Sequence, residues 1–236
     1  KLNKAQKEAV DAIEGPVMVV AGPGTGKTQI LALRIGNILL ETDINADGIL
    51  CLTFTNAAVE AMQGRLEKYI GPAGKKVNTS TFHSFGMKII EEYYPVLGME
   101  KVPKLLDDIE AILLFDEVLD KNSWKYLKPR GDRSRYFRDL RSLISLLKRE
   151  RLNPKEFLTE VEREIEHLKK DPDNLLTRGE NKGELKKEIL NKIDSLERSR
   201  EAAVFFQLYE EAKVFKNVLD YDDVLEKMVE VMERSK

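Results

Sequence analysis

Ala21-Gly22-Pro23-Gly24-Thr25-Gly26-Lys27-Thr28 follows the apolar run Val17-Met18-Val19-Val20-Ala21 and precedes Ile30, Leu31, Leu33, Ile35, Ile38 and Leu39. The run predicts a buried strand, and the spacing of the later residues predicts a helix. The octet is therefore a glycine-rich turn that opens a helix. Such a turn suits an anion. Its glycines let backbone N–H groups curl around a phosphate with no Cβ in the way. The helix start adds unpaired donors and the positive end of a dipole. In this arrangement Lys27 reaches the β- and γ-phosphates of a nucleotide and the Thr28 hydroxyl ligates Mg²⁺. Ala21 takes the first position of the pattern, where glycine is usual; Gly22, Gly24 and Gly26 keep the turn pliable.

The chain has 236 residues, room for one large or two modest domains. Hydrophobic residues make up 42% and charged residues 34%, enough for a core and for long solvated helices. The net charge of -2 means that any nucleic-acid surface has to be local. Cys51, the one cysteine, lies in an apolar run and reads as a small core residue. No apolar stretch has the length of a membrane span and no secretory signal opens the chain, so the expected setting is a reducing cytoplasm. Lys1 in place of Met and an end at Lys236 inside a polar helical pattern suggest a piece of a longer chain.

Residues 1–92 alternate helix and strand signals. A short helix is expected around residues 2–13, strands at 17–21, 49–54 and 77–81, and helices at 56–69 and 84–94. This alternation implies a parallel sheet, hence an α/β class. From about Asp107 the pattern is helical and charged. The expected apolar stripes are Leu106, Ile109, Ile112 and Leu113; Leu140, Leu143, Ile144 and Leu147; Phe157, Val161, Ile165 and Leu168; and Leu185, Ile189, Ile193 and Leu196. A loop is expected at 171–184, which carries Pro172, Gly179 and Gly183.

Other segments carry chemistry. The Gln6 amide donates and accepts at once, which suits the N6/N7 edge of adenine as well as it suits a surface position. Thr53-Phe54-Thr55-Asn56 ends the second strand, and ligands gather beyond strand C-termini in open α/β sheets. Phe54 there reads either as a core residue or as a stacking platform for a base. Thr81-Phe82-His83-Ser84-Phe85 repeats the arrangement at the third strand. His83 has no second ligand at metal spacing, which argues against a metal site. Residues 121–151 hold eleven Lys or Arg against three Asp or Glu, with Trp124, Tyr126, Tyr136 and Phe137 interleaved. That composition suits a phosphate backbone, or a basic solvated helix.

Together these segments resemble the N-terminal region of UvrD/Rep/PcrA-type superfamily 1 DNA helicases. Leu2-Asn3-x-x-Gln6-x-x-Ala9-Val10 resembles their adenine-reading Q motif, residues 21–28 motif I, Thr53 to Met62 motif Ia, and Thr81 to Phe85 motif Ib. Leu219-Asp220-Tyr221-Asp222-Asp223-Val224-Leu225 is similar to the acidic segment that precedes motif II. The resemblance implies a P-loop RecA-like sheet, domain 1A, with a large all-helical insertion, subdomain 1B. Its implied boundaries are 1–92 for the first part of 1A, 93–204 for 1B and 205–236 for the return into 1A. It implies a 3′-to-5′ helicase acting on single-stranded DNA at a duplex junction, with ATP and Mg²⁺ as cofactors. Gln6, Gln29 and residues 21–28 would bind nucleotide. Thr53, Phe54, Asn56, Thr81, His83, Arg130, Arg133 and Arg135 would lie on DNA. Motif II and the second RecA-like domain are expected outside residues 1–236. Ala57, where the family often has Lys, and Gln29, where it often has Arg, leave a RecB/AddA branch open.

Two alternatives stand beside this. One is a stand-alone nucleotide- or DNA-binding module. The other is a small P-loop ATPase using Asp116 and Glu117, which end the apolar run Ala111-Ile112-Leu113-Leu114-Phe115. Ile109, Ile112, Leu113 and Leu119 make a helix the preferred reading of that segment, and Gln6 and Phe82-His83 argue against a small kinase.

Overall fold

The computed structural model describes residues 2–127, 133–178 and 181–235, with backbone only at 133–136. The chain is mixed, mostly helical, with two small parallel sheets. It divides into two compact units, one up to Lys88 and one from Ile89.

The first unit opens with α1 (Lys4–Asp11). Asn3 and Gln6 form a capping box at its start, each side chain accepting from the other's backbone N–H. The helix α2 (Lys27–Glu41) begins at Gly26, whose φ of +85° only glycine adopts readily. Arg34 and Asn37 of α2 donate to the carbonyls of Ala9 and Val10, which fixes α1 along it. β1 (Leu50–Thr53) leads into α3 (Asn56–Ile70), capped by the Thr55 hydroxyl, and β2 (Asn78–Thr81) leads into α4 (Phe82–Tyr93). β1 and β2 pair parallel in the register Leu50–Asn78 through Thr53–Thr81. Ala32, Ile35, Ala46, Cys51, Met62, Leu66 and Val77 form the core beneath them.

The expected strand at residues 17–21 does not form. The segment carries no ladder, and Met18 and Val20 are 88% and 85% exposed. A strand is stable only when its backbone groups find partners on a neighbour. Here β1 and β2 pair with each other, and the run has none among the described residues.

In the second unit the two-residue strands β3 (Lys104–Leu105) and β4 (Val218–Leu219) pair parallel, a contact the sequence reading missed. The helices are α5 (Asp108–Asp120), α6 (Arg133–Arg149), α7 (Pro154–Lys170), α8 (Lys187–Lys216) and α9 (Tyr221–Arg234). Phe115, Phe205 and Tyr209 centre the core, with Trp124, Phe137, Leu140, Ile144 and Leu147 around them. The stripe expected on α5 is wrong. Ile109, Ile112 and Leu113 are exposed, and Ala111, Leu114, Phe115, Val118 and Leu119 face inward. The stripes on α6 and α7 face inward as expected. Among the described residues no helix is long and apolar enough to cross a membrane.

Candidate functional site

Within the first unit the glycine-rich loop is shaped by its own side chains. Lys27 Nζ donates to the carbonyls of Ala21 and Gly22, at 2.8 and 3.0 Å, and Thr25 Oγ1 donates to the Gly22 carbonyl at 2.8 Å. Gly24 and Gly26 both have positive φ, at +73° and +85°. No side chain caps α2, so its first N–H groups face the loop. Gln6 belongs to the same constellation: its Nε2 donates to the Thr25 carbonyl at 3.2 Å. A cationic ammonium and an uncapped helix start are groups that can meet a polyphosphate, and the Thr28 hydroxyl oxygen is one that can ligate Mg²⁺.

The C-terminal edge of the β1–β2 sheet gathers the second set. Because Thr53 and Thr81 are register partners, the residues after them emerge side by side. Phe54 is 86% exposed, so it is not a core residue, and its ring lies 5.3 Å from that of Phe82, tilted by 41°. Thr81 Oγ1 accepts from Ser84 N and caps the start of α4, where His83 sits. Asn56 is exposed at the first turn of α3. An exposed aromatic ring, backed by the half-buried Phe82 and flanked by polar groups, can stack on a base.

The basic segment divides differently from the expectation. Arg130 lies outside the described residues, as do the side chains of Arg133, Arg135 and Tyr136. Trp124 and Phe137 are buried and unavailable for stacking; Trp124 Nε1 donates to the Leu119 carbonyl at 3.0 Å. No motif pointed to Glu201, whose carboxylate accepts the backbone N–H groups of Lys125, Tyr126 and Leu127 at 2.7–2.9 Å. Burial pushes its carboxyl upward, but these three donors outweigh burial and hold it below the ordinary range.

Asp116 and Glu117 lie inside α5, not at a strand end. Glu117 pairs with Lys121 at 2.6 Å and Lys216 at 3.0 Å, and these hydrogen bonds lower its pKa. A carboxylate held so is a poor base for activating water, which removes the structural ground for the small-ATPase alternative.

A buried ion cluster joins α6, α8 and α9. Lys148 and Lys213 sit among Glu210, Asp220 and Asp223. Asp220 and Asp223 also form the capping box of α9. The three carboxylates lie close enough to suggest a cation site, but the two ammonium groups already fill the space between them.

Residues 2–236 match the family model for the UvrD/REP helicase N-terminal domain. This chain belongs to the UvrD/Rep helicase family. It is 36% identical over 118 residues to the ATP-dependent DNA helicase PcrA of Staphylococcus epidermidis, a match covering 50% of the chain and 16% of that protein. It is 38% identical over 121 residues to the ATP-dependent DNA helicase Rep of Buchnera aphidicola, covering 51% and 19%. The matched region thus spans less than a fifth of these UvrD/Rep relatives.

Proposed function

We propose that this chain is the nucleotide-binding, DNA-contacting N-terminal part of a helicase that couples ATP hydrolysis to 3′-to-5′ movement on single-stranded DNA. The observation that carries the reading is the loop at the start of α2, where Lys27, the uncapped helix and the Gln6 amide converge. Lys27 and the loop from Ala21 to Thr28 hold the phosphates, Thr28 holds Mg²⁺, and Gln6 with Gln29 lies at the base. Mg²⁺ supplies charge neutralisation at the phosphates when bound. Thr53, Phe54, Asn56, Thr81 and His83 lie on the single strand, and Arg130, Arg133 and Arg135 meet backbone phosphates near the duplex junction. In this reading the β1–β2 sheet is part of a RecA-like domain 1A, residues 93–204 are subdomain 1B, and 205–236 return to 1A. The remaining helicase domains are its partners in the whole protein, at work in the cytoplasm.

Calorimetric titration tests the nucleotide site. The chain is expected to bind Mg·ATP weakly, because one wall of the cleft belongs to another domain, and Lys27→Ala is expected to abolish binding by deleting the charge at the phosphates. Equal affinity in the two forms would remove the assignment. The chain alone is expected to turn over no ATP, and Glu117→Gln to change nothing.

Fluorescence anisotropy with a tailed duplex tests the DNA track. Phe54→Ala is expected to weaken binding by about 1–3 kcal/mol with little change in salt dependence, because stacking releases few counterions. Unaltered affinity would return Phe54 to the status of an ordinary exposed residue.

A further inference from the structure

Residues 125–127 are docked on α8 through a single carboxylate. Three successive backbone N–H groups converge on Glu201: that of Lys125 at 2.7 Å on Oε1, and those of Tyr126 and Leu127 at 2.7 and 2.9 Å on Oε2. Converging N–H dipoles repel one another unless an anion sits between them. Glu201 is that anion, so it fixes how these peptide planes are turned. The neighbouring contacts hold side chains. Trp124 and Leu127 are buried in the core of the unit, and Tyr126 Oη donates to Asp194 Oδ1 at 2.9 Å. Asp194, Arg198 and Glu201 follow at i, i+4 and i+7 along one face of α8. Arg198 pairs with Asp194 at 2.8 Å and lies 5.8 Å from the centre of the Tyr126 ring.

Leu127 is also the residue from which the basic stretch departs. Lys128, Arg130, Arg133 and Arg135 follow it in the sequence, against the acid Asp132, before Phe137 returns to the same core. We propose that Glu201 is a positioning residue for DNA, setting the direction in which the chain leaves α8 and so aiming the arginines after Leu127 at the phosphates of a duplex junction. The proposal rests on the assignment of Arg130, Arg133 and Arg135 to DNA argued above, and names what aims them. A stretch aimed in advance loses little freedom on binding, whereas a released one must be ordered by the DNA itself. A neutral side chain at position 201 releases it, because the three N–H groups then turn apart to reach water.

The test is the ratio of affinities for a tailed duplex and for the tail alone as a single strand, read by fluorescence anisotropy at one salt concentration. The forms compared are the wild type, Glu201→Ala, Glu201→Gln and the double variant Arg133→Ala with Arg135→Ala. The wild type is expected to prefer the tailed duplex, and the double variant to lose that preference, because the duplex supplies the phosphates that the arginines meet. Glu201→Ala is expected to lower the ratio by a factor of about 5 or more, what re-ordering even one backbone residue costs. Glu201→Gln keeps the volume and one acceptor oxygen, and is expected to fall between Glu201→Ala and the wild type. If Glu201→Ala does not fold, the isosteric Gln form decides. A merely structural role would weaken both DNA ligands alike. An unchanged ratio in the Glu201 variants, beside a lowered one in the double variant, therefore overturns the aiming role and leaves the basic stretch on DNA. An unchanged ratio in the double variant overturns that assignment, and the positioning role with it.

Discussion

Lys213→Met is expected to destabilise the helical unit by about 3–5 kcal/mol, the usual cost of removing one partner from a buried ion cluster. The methylene stem stays packed, so the loss reports charge and not volume. Lys213 is 2% exposed and meets Glu210, Asp220 and Asp223 at 2.7–2.8 Å. Without it, Lys148 alone faces three carboxylates. Glu210 Oε1 already lacks an aligned hydrogen bond and is held by charge alone. Urea unfolding followed through Trp124, the sole tryptophan, reads this unit directly. A shift below about 1 kcal/mol, the range of an exposed pair, would show that the cluster contributes little.

The same cluster sets a pH dependence. For Asp220, burial alone would raise the pKa, but Lys213 and Lys148 outweigh it and bring it well below the ordinary carboxylate range. Its stabilisation is present above that range and disappears as pH falls through the depressed folded value. Glu210 moves the other way, because burial raises its pKa and the two lysines only partly offset that. Its contribution is present in acid and fades as pH rises through its raised value. Neutralising it as Glu210→Gln is expected to remove the upper of these two slopes from a plot of unfolding free energy against pH.

Gly74→Ala is expected to cost the first unit about 3 kcal/mol, the upper part of the range for overpacking. A Cβ there would stand 2.5 Å from the Leu66 carbonyl carbon and 2.7 Å from Glu67 N and Leu66 O. These are backbone atoms in the last turns of α3, so nothing can swing aside. The Gly74 carbonyl also accepts from Gln63 Nε2 at 2.9 Å, which fixes the loop against the helix. Gly64→Ala is the internal control. It lies in α3 with nothing within 4 Å of its added Cβ, and is expected to stabilise by up to about 1 kcal/mol. Thermal unfolding by circular dichroism compares the two. A neutral Gly74→Ala would mean that the turn after α3 relaxes freely.

What the sequence made legible is local chemistry. Glycines, a lysine and flanking apolar patterns located α2 and its loop, and apolar spacing located α3 from Asn56; the next helix, expected from Ser84, starts two residues earlier at Phe82, where the Thr81 hydroxyl caps it. The strand at 17–21 was misread because an apolar run reveals a wish for ladder partners, not their presence. The face of α5 was misread because Ile109, Ile112, Leu113, Leu114, Phe115 and Val118 are apolar nearly all round, so the packing of the unit chose the buried side. Lys148 and Lys213 were missed because a buried lysine in a helix rich in charges looks like its solvated neighbours. The paired acids Asp220 and Asp223 were visible, but only the fold supplies the cations that they meet.

Arg34 and Asn37 have one more consequence. They clamp α1 to the side of α2, so the distance between the Gln6 amide and Lys27 is set by two packed rods. The strand-like run between them is not part of that gauge. Residues 14–16, beyond the Ile13 carbonyl that Arg34 also holds, can therefore accept an insertion without altering the spacing between the Gln6 amide and Lys27, whereas a slip of one helical turn between the rods would change it.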